Sequence, residues 1–268
     1  MSRPADAAAT APGWAGPTLA APARAGAAPG PAPVGAGGSA PGAGTAAARV
    51  RVAVLISGRG SNMASLLAAA AAPGYPAEVV LVLSNRPDAA GLDHARAQGI
   101  EALCVDHRPH GRDRAAHEAA IHAALQARGV GLVCLAGYMR LLTPFLVGAW
   151  AGRMLNIHPS LLPAFPGLDT HARALAAGCR LHGCTVHLVT AEMDAGPILA
   201  QAAVPVLPDD DADTLAARVL RQEHLLYPLA LRLLAEGSAG QSDAGASLVN
   251  PRPADTPSPA LPGPAAGT

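Results

Sequence analysis

Asn156 and His158 stand two residues apart in Asn156-Ile157-His158-Pro159-Ser160-Leu161-Leu162-Pro163. Residues two apart on an extended strand leave the same face, so a carboxamide and an imidazole can converge there as donors. Two convergent donors suit an oxygen that becomes anionic during reaction. The other reading is a polar strand end capped by Asn. Pro159 ends the strand and stiffens the turn behind the imidazole. Asp194 lies in Glu192-Met193-Asp194-Ala195-Gly196, where an Asp before small residues is ordinarily a turn former. If it reaches His158, its charge favours the imidazolium near neutral pH. Upstream, Ser57-Gly58-Arg59-Gly60-Ser61-Asn62 has the form of an anion-binding turn. Its glycines allow close backbone approach, and a helix opening there offers free N–H groups. A phosphate cradle with an Asn/His/Asp set points to group transfer to a phosphorylated acceptor.

Each of these residues has a plainer reading. The glycine turn is equally a strand–helix junction with a capping Ser. It lacks the Lys-Ser/Thr of a P-loop and does not complete GxGxxG. His171, His182 and His187 can line the same edge, but none has zinc-motif spacing, and no metal is expected. Arg140, beyond the apolar stretch Leu132 to Ala136, reads as a core-edge cation or a ligand contact. Asp209-Asp210-Asp211 reads as a solvated cap before the last helix. Cys104, Cys134, Cys179 and Cys184 form no CxxC pair and read as buried reduced thiols. That fits a reducing compartment, and the cytoplasm is expected.

The elements that must position these groups are legible as alternating patterns. Arg51 to Ser57, Glu78 to Ser84, Glu101 to Val105 and Gly131 to Ala136 are short apolar runs suited to strands buried on both faces. Between them Ser61 to Ala72, Asp88 to Gln98 and Asp113 to Arg128 read as helices, the last two stopped by Gly99 and Gly129. This alternation predicts an α/β fold with a doubly wound, mostly parallel sheet, whose ligands bind beyond the carboxyl ends of the strands. The second half differs. Arg153 to His158 is a strand, and Leu168 to Ala177 a helix. His182 to Thr190 and Pro197 to Val206 are strands too closely joined for a helical crossover, hence antiparallel. Asp213 to Glu236 is a closing helix.

Composition divides the 268 residues into three parts. Residues 1–49 and 237–268 are mostly Ala, Gly, Pro, Ser and Thr. They carry too few large apolar side chains to offset the entropy of ordering, so both are expected to be disordered tails. Residues 50–236 form one domain with a core. Nineteen basic and nineteen acidic residues cancel, without a basic stripe, so no nucleic-acid partner is expected. No apolar run is long enough for a bilayer, and no membrane partner is expected. Arg3 is not followed by the apolar stretch of a secretory signal.

The chain resembles the phosphoribosylglycinamide formyltransferase family. The resemblance rests on VLISGRGSN at 54–62, LAGYMRLL at 135–142, RMLNIHPSLLPAFPGLDTH at 153–171, HGCTVHLV at 182–189, MDAGPIL at 193–199 and QEHLLYP at 222–228. It implies the formyltransferase fold, with a Rossmann-like N-terminal half. It also implies transfer of a formyl group from 10-formyltetrahydrofolate, a co-substrate, to the amine of 5′-phosphoribosylglycinamide, without a metal, by a monomer or homodimer. Asn156, His158 and Asp194 match the catalytic trio. Gly60, Ser61 and Asn62 match the phosphate site, and Glu223 a carboxylate near the acceptor's ribose. Met139, Arg140, Leu141 and Leu142 match the folate pocket, with Arg114 and Asn156 as further folate contacts. Two related activities share the trio. Formyltetrahydrofolate hydrolases carry an upstream regulatory domain, for which residues 1–49 are too short, and lack this Gly-Ser-Asn turn. Methionyl-tRNA formyltransferases add a basic C-terminal domain, which this Pro/Ala tail does not resemble. A folate- or nucleotide-binding module without turnover is the non-enzymatic alternative.

Overall fold

The computed structural model of this chain describes residues 49–237 together with 247 and 248. Its first strand, β1 (Val50–Ile56), is apolar at every position but Arg51. A strand of that composition requires cover on both faces, and a core lies on each side of it. Val52, Val54 and Ile56 face one core, with Met63, Leu66, Leu92, Leu226 and Tyr227. Ala53 and Leu55 face the other, with Leu81, Leu83, Ile121, Leu125, Leu146 and Trp150. The division follows from the two-residue period of a strand.

The chain continues through α1 (Ser61–Ala70), β2 (Ala77–Ser84), α2 (Ala90–Ala97), β3 (Ala102–Cys104), a 3₁₀ turn at Arg108–His110, α3 (Arg114–Gln126) and β4 (Leu132–Leu135). Then follow α4 (Pro144–Ala149), β5 (Met154–His158), α5 (Thr170–Ala176), β6 (Leu181–Leu188), β7 (Ile198–Pro205), α6 (Ala212–Ala235) and β8 (Ser247–Leu248). The sheet order is β3-β2-β1-β4-β5-β6-β7-β8. Pairing is parallel from β3 across to β5. β6 is antiparallel to both its neighbours, and β8 joins β7 in parallel. The chain winds outward from β1 to β3 and then returns to the other side of β1 as β4. The carboxyl ends of β1 and β4 therefore flank the switch point where such sheets form a crevice.

The α/β class, the doubly wound sheet and the antiparallel β6–β7 pair agree with the pattern of the sequence. Three features differ. The short helix α4 begins with Pro144 at its first positions and contains Gly148; six residues are too few to display a helical period. Ser247–Leu248 form a strand inside a segment expected to lack structure; residues 238–246, 249–268 and 1–48 lie outside the described residues. The acidic run before α6 is not simply solvated. Asp211 caps the helix, accepting from Thr214 N at 2.8 Å in a capping box. The side chain of Asp210 is only 3% exposed and pairs with Arg218 through two bonds of 2.5 and 2.7 Å. That guanidinium holds the Asp210 carboxyl far below the usual carboxylate range.

Gly91, in the first turn of α2, supports the β1–α1 turn from below. Its N–H donates to the Gly58 carbonyl at 3.1 Å. A Cβ placed there would stand 2.4 Å from Ile56 Cδ1 and 3.2 Å from the Gly58 oxygen. Gly91→Ala is therefore expected to overpack the site and to cost ~1–3 kcal/mol, read as a lowered midpoint in urea unfolding. A midpoint equal to the parent's would show that the turn does not depend on this close approach.

Candidate active site

The β1–α1 turn is shaped by Gly60. Gly60 has φ of 76°, in the left-handed region, and is the N-cap of α1 without a side-chain cap bond. Ser61 is the first helical residue, so the capping-Ser reading of this turn is not what the chain adopts. The free N–H groups of the first helical turn are left available, as an anion requires. Asn62 donates from Nδ2 to Glu223 Oε2 at 2.7 Å, which joins this turn to α6. Asn62 Oδ1 is buried without a partner. Glu223 is itself buried, and burial raises its carboxyl pKa while the Asn62 bond opposes the rise. Gly60, Ser61, Asn62 and Glu223 are thus gathered at one end of α1.

A second cluster forms where β5 meets the β6–β7 loop. His158 is 5% exposed at the end of β5. Its Nδ1 lies 3.5 Å from Asp194 Oδ2, and its Nε2 is 3.0 Å from the Phe165 carbonyl. Both ring nitrogens therefore face oxygens, and a ring with hydrogen on each nitrogen matches both. Asp194 also accepts from Gly167 N at Oδ2, 2.8 Å away, and its Oδ1 stands 3.8 Å from His187 Nε2. Asn156 Nδ2 donates to that same His187 nitrogen at 3.1 Å. Asn156, His158 and Asp194 are thus drawn together, with His187 as a fourth member.

The backbone is shaped to make this possible. Asp194 has φ of 55°, a left-handed conformation that costs on the order of 1 kcal/mol for a residue with a Cβ. Two residues on, a Cβ at Gly196 would stand 1.8 Å from the Leu188 carbonyl oxygen, so the loop passes too close to β6 for any side chain. The Pro-rich segment after His158 is fastened to the sheet by Thr185. Its hydroxyl donates to the Ser160 carbonyl at 2.6 Å and accepts from Leu162 N at 3.0 Å. Thr170 Oγ1 closes the far end of the segment by donating to the Pro159 carbonyl at 2.7 Å.

The loop from Met139 to Leu142 follows β4 and is pinned at both ends. Met139 N donates to Ser57 Oγ at 2.8 Å, and that hydroxyl donates to Asn85 Oδ1 at 2.6 Å. At the far end, the buried Glu118 carboxylate on α3 accepts from Thr143 N at 2.8 Å and also from the Thr143 hydroxyl. The side chains of Met139 and Leu141 are 68% and 62% exposed. Arg140 lines a cavity of about 360 Å³ with Ser57, Asn85, Arg86 and His107. Arg114 stands exposed at the first position of α3.

In the sequence His187 is only one of several edge histidines, Ser57 stands only as the first residue of the glycine turn, and Glu118 gives no local signal. Glu118 reads locally as one acidic position in an alanine-rich helix; its partner is remote in sequence. His171 and His182 pack edge to face at 5.1 Å between ring centroids, and burial pushes His182 down to about 4. Among the described residues no group of three or more His, Cys, Asp or Glu side chains has the arrangement of a metal site, and no helix is long and apolar enough to cross a membrane. Cys134 and Cys184 are buried and all four cysteines are free; burial pushes the Cys134 thiol up to about 12.

A family model described as formyl transferase matches residues 50–231. The chain is 44% identical over 189 residues to phosphoribosylglycinamide formyltransferase of Escherichia coli, covering 69% of this chain and 86% of that one. It is 48% identical over 188 residues to the trifunctional purine biosynthetic protein adenosine-3 of Drosophila melanogaster, covering 69% of this chain and only 14% of that protein. Among solved structures, phosphoribosylglycinamide formyltransferase from Brucella melitensis superposes with a TM-score of 0.67 at 55% identity, covering 74% of this chain and all of that one.

The double pinning of the Met139–Leu142 loop has a direct test. Glu118→Ala leaves the Thr143 N–H and hydroxyl without their acceptor, and is expected to loosen the far end of the loop. Amide hydrogen exchange at residues 139–143 should speed about tenfold, ~1.4 kcal/mol of lost protection. Unchanged exchange would show that the loop holds its shape without the Glu118 carboxylate.

Proposed function

Because the chain belongs to the formyl transferase family, we propose that it transfers the formyl group of 10-formyltetrahydrofolate to the amine of 5′-phosphoribosylglycinamide, a step of purine biosynthesis. The relatives named phosphoribosylglycinamide formyltransferase support this reaction. The observation that carries it is the meeting of Asp194 with His158 at 3.5 Å, beside the Asn156 carboxamide.

In this reading the acceptor's phosphate takes the free N–H groups of α1 at Gly60, Ser61 and Asn62, and Glu223 accepts from a ribose hydroxyl. Backbone groups of the Met139 to Leu142 loop hydrogen-bond the pterin, and Arg114 and Arg140 face the carboxylates of the folate tail. Asn156 touches the formyl group. The acceptor's neutral amine attacks the formyl carbon. A C–N bond forms and the carbonyl electrons move to oxygen. Asn156 Nδ2 and His158 donate to that anionic oxygen, which replaces the Phe165 carbonyl as the acceptor for His158 Nε2. A single donor of this kind is worth about 3–4 kcal/mol of barrier. Asp194 stabilises the charged His158 ring and takes the proton released by the new ammonium, directly or through water. The bond from the formyl carbon to the folate nitrogen then breaks, and that nitrogen receives the relayed proton. The products are formylglycinamide ribonucleotide and tetrahydrofolate.

Incubation with 10-formyltetrahydrofolate, with and without the amine, tests the proposal. Tetrahydrofolate should appear, by absorbance, only when the amine is present. Release without the amine would make the chain a hydrolase, and no release would leave a binding module. Asp194→Asn is expected to lower turnover about 10²-fold or more while the unfolding midpoint stays near the parent's. Turnover close to the parent's would remove Asp194 from the mechanism.

A further inference from the structure

Resting on the transferase reading, we propose that His187 is a positioning residue: it fixes which atom of the Asn156 carboxamide faces the reacting carbonyl. The two residues are directly opposed across the antiparallel β5–β6 ladder. Opposed side chains in such a pair share a face and lie within contact distance. His187 Nδ1 is 3.0 Å from the Leu188 carbonyl, so that nitrogen carries the hydrogen and donates. Nε2 of the neutral ring is then left with its lone pair, and it accepts from Asn156 Nδ2 at 3.1 Å.

This arrangement decides the orientation of the amide. Turned over, Asn156 would present Oδ1 to the same lone pair, placing two acceptors against each other. With Nδ2 held at His187, one of its hydrogens is used there and the other remains for the formyl oxygen. The role requires His187 to stay neutral. It is 3% exposed, and burial keeps its pKa below the ordinary histidine value, against the opposing pulls of the Leu188 carbonyl and then of Asp194. Asp194 Oδ1, at 3.8 Å from Nε2, would compete for a hydrogen placed on that nitrogen, and Asn156 would then lose its acceptor. His187 therefore acts through Asn156, without touching the substrate.

A double-mutant cycle with a spectroscopic arm tests the assignment. His187→Leu removes the acceptor, and His187→Gln supplies one through its side-chain oxygen. In the parent background His187→Leu should lower kcat about 10²-fold, near the loss from Asn156→Ala, with both KM values within about twofold of the parent. His187→Gln should recover part of the loss. In the Asn156→Ala background His187→Leu should cost nothing further. Additive losses, or a loss confined to KM, overturn the proposal. The second readout is independent of turnover. The ¹⁵N-bound hydrogens of the Asn156 side chain, assigned by their disappearance in Asn156→Ala, should shift toward solvent-amide positions in His187→Leu. An unmoved pair overturns the positioning role whatever the reaction is. If the parent transfers no formyl group while the pair does shift, the transferase reading fails and the His187–Asn156 contact stands.

Discussion

One carboxylate holds the candidate site together. Asp194 faces His158 with one oxygen and His187 with the other, and the first oxygen also accepts from the backbone of Gly167. A carboxylate with 11% of its side chain exposed needs the His158 ring and the Gly167 N–H as partners, because a largely buried anion without them is costly. The consequence is geometric. The Pro-rich segment after β5, the end of β5 itself and the β6–β7 loop are tied at one point, and Asn156 joins through His187. The left-handed backbone at Asp194 is the strain the loop bears to deliver that side chain.

The rest of the sheet edge serves this point from two directions. On one side Ser57 directly follows β1 and belongs to two structures at once. Its hydroxyl anchors the Met139–Leu142 loop, and the residues after it form the glycine turn that opens α1. On the other side α6 crosses the sheet and brings Glu223 to Asn62. Its neighbour Tyr227 is fully buried, with its hydroxyl toward the carbonyls of Leu135 and Leu155 at 3.1 and 3.2 Å. The helix carrying Glu223 is thereby registered against the strands that carry Arg140's loop and Asn156. In the proposed reaction an amine at one end and a formyl group at the other then meet at a fixed place, the circumstance in which proximity contributes most to rate.

Much of this was legible in the residues, for reasons that differ along the chain. The strands β1, β2 and β4 are nearly unbroken apolar runs because both their faces are covered, and a short apolar run bounded by turn residues suits a buried strand. The turn at Gly60 was legible because its left-handed backbone favours glycine. The helix α4 was not, being shorter than the period that would reveal it. His187 was harder still. In β6 the residues from His182 to His187 are all buried, so alternation does not distinguish a working histidine from a packed one. Its partnership with Asn156 depends on the register of two strands separated by α5 and the Pro-rich segment. Glu118 was hidden in the same way, since its meaning lies at Thr143. Asp194 looked like an ordinary turn residue, and only the path of its loop turns it toward His158.

We propose that the glycine turn of α1 and the Asn156–His158–Asp194 cluster address one substrate from two ends. The most direct measurement is a crystal structure of the chain with 5′-phosphoribosylglycinamide and a folate analogue that cannot release its formyl-like group. The account predicts the phosphate on the N–H groups at Gly60 to Asn62 and the amine beside the analogue's carbonyl carbon, with that carbonyl's oxygen toward Asn156 Nδ2 and His158. A phosphate seated instead in the cavity between Arg86, His107 and Arg140, or an amine directed away from Asp194, would contradict it.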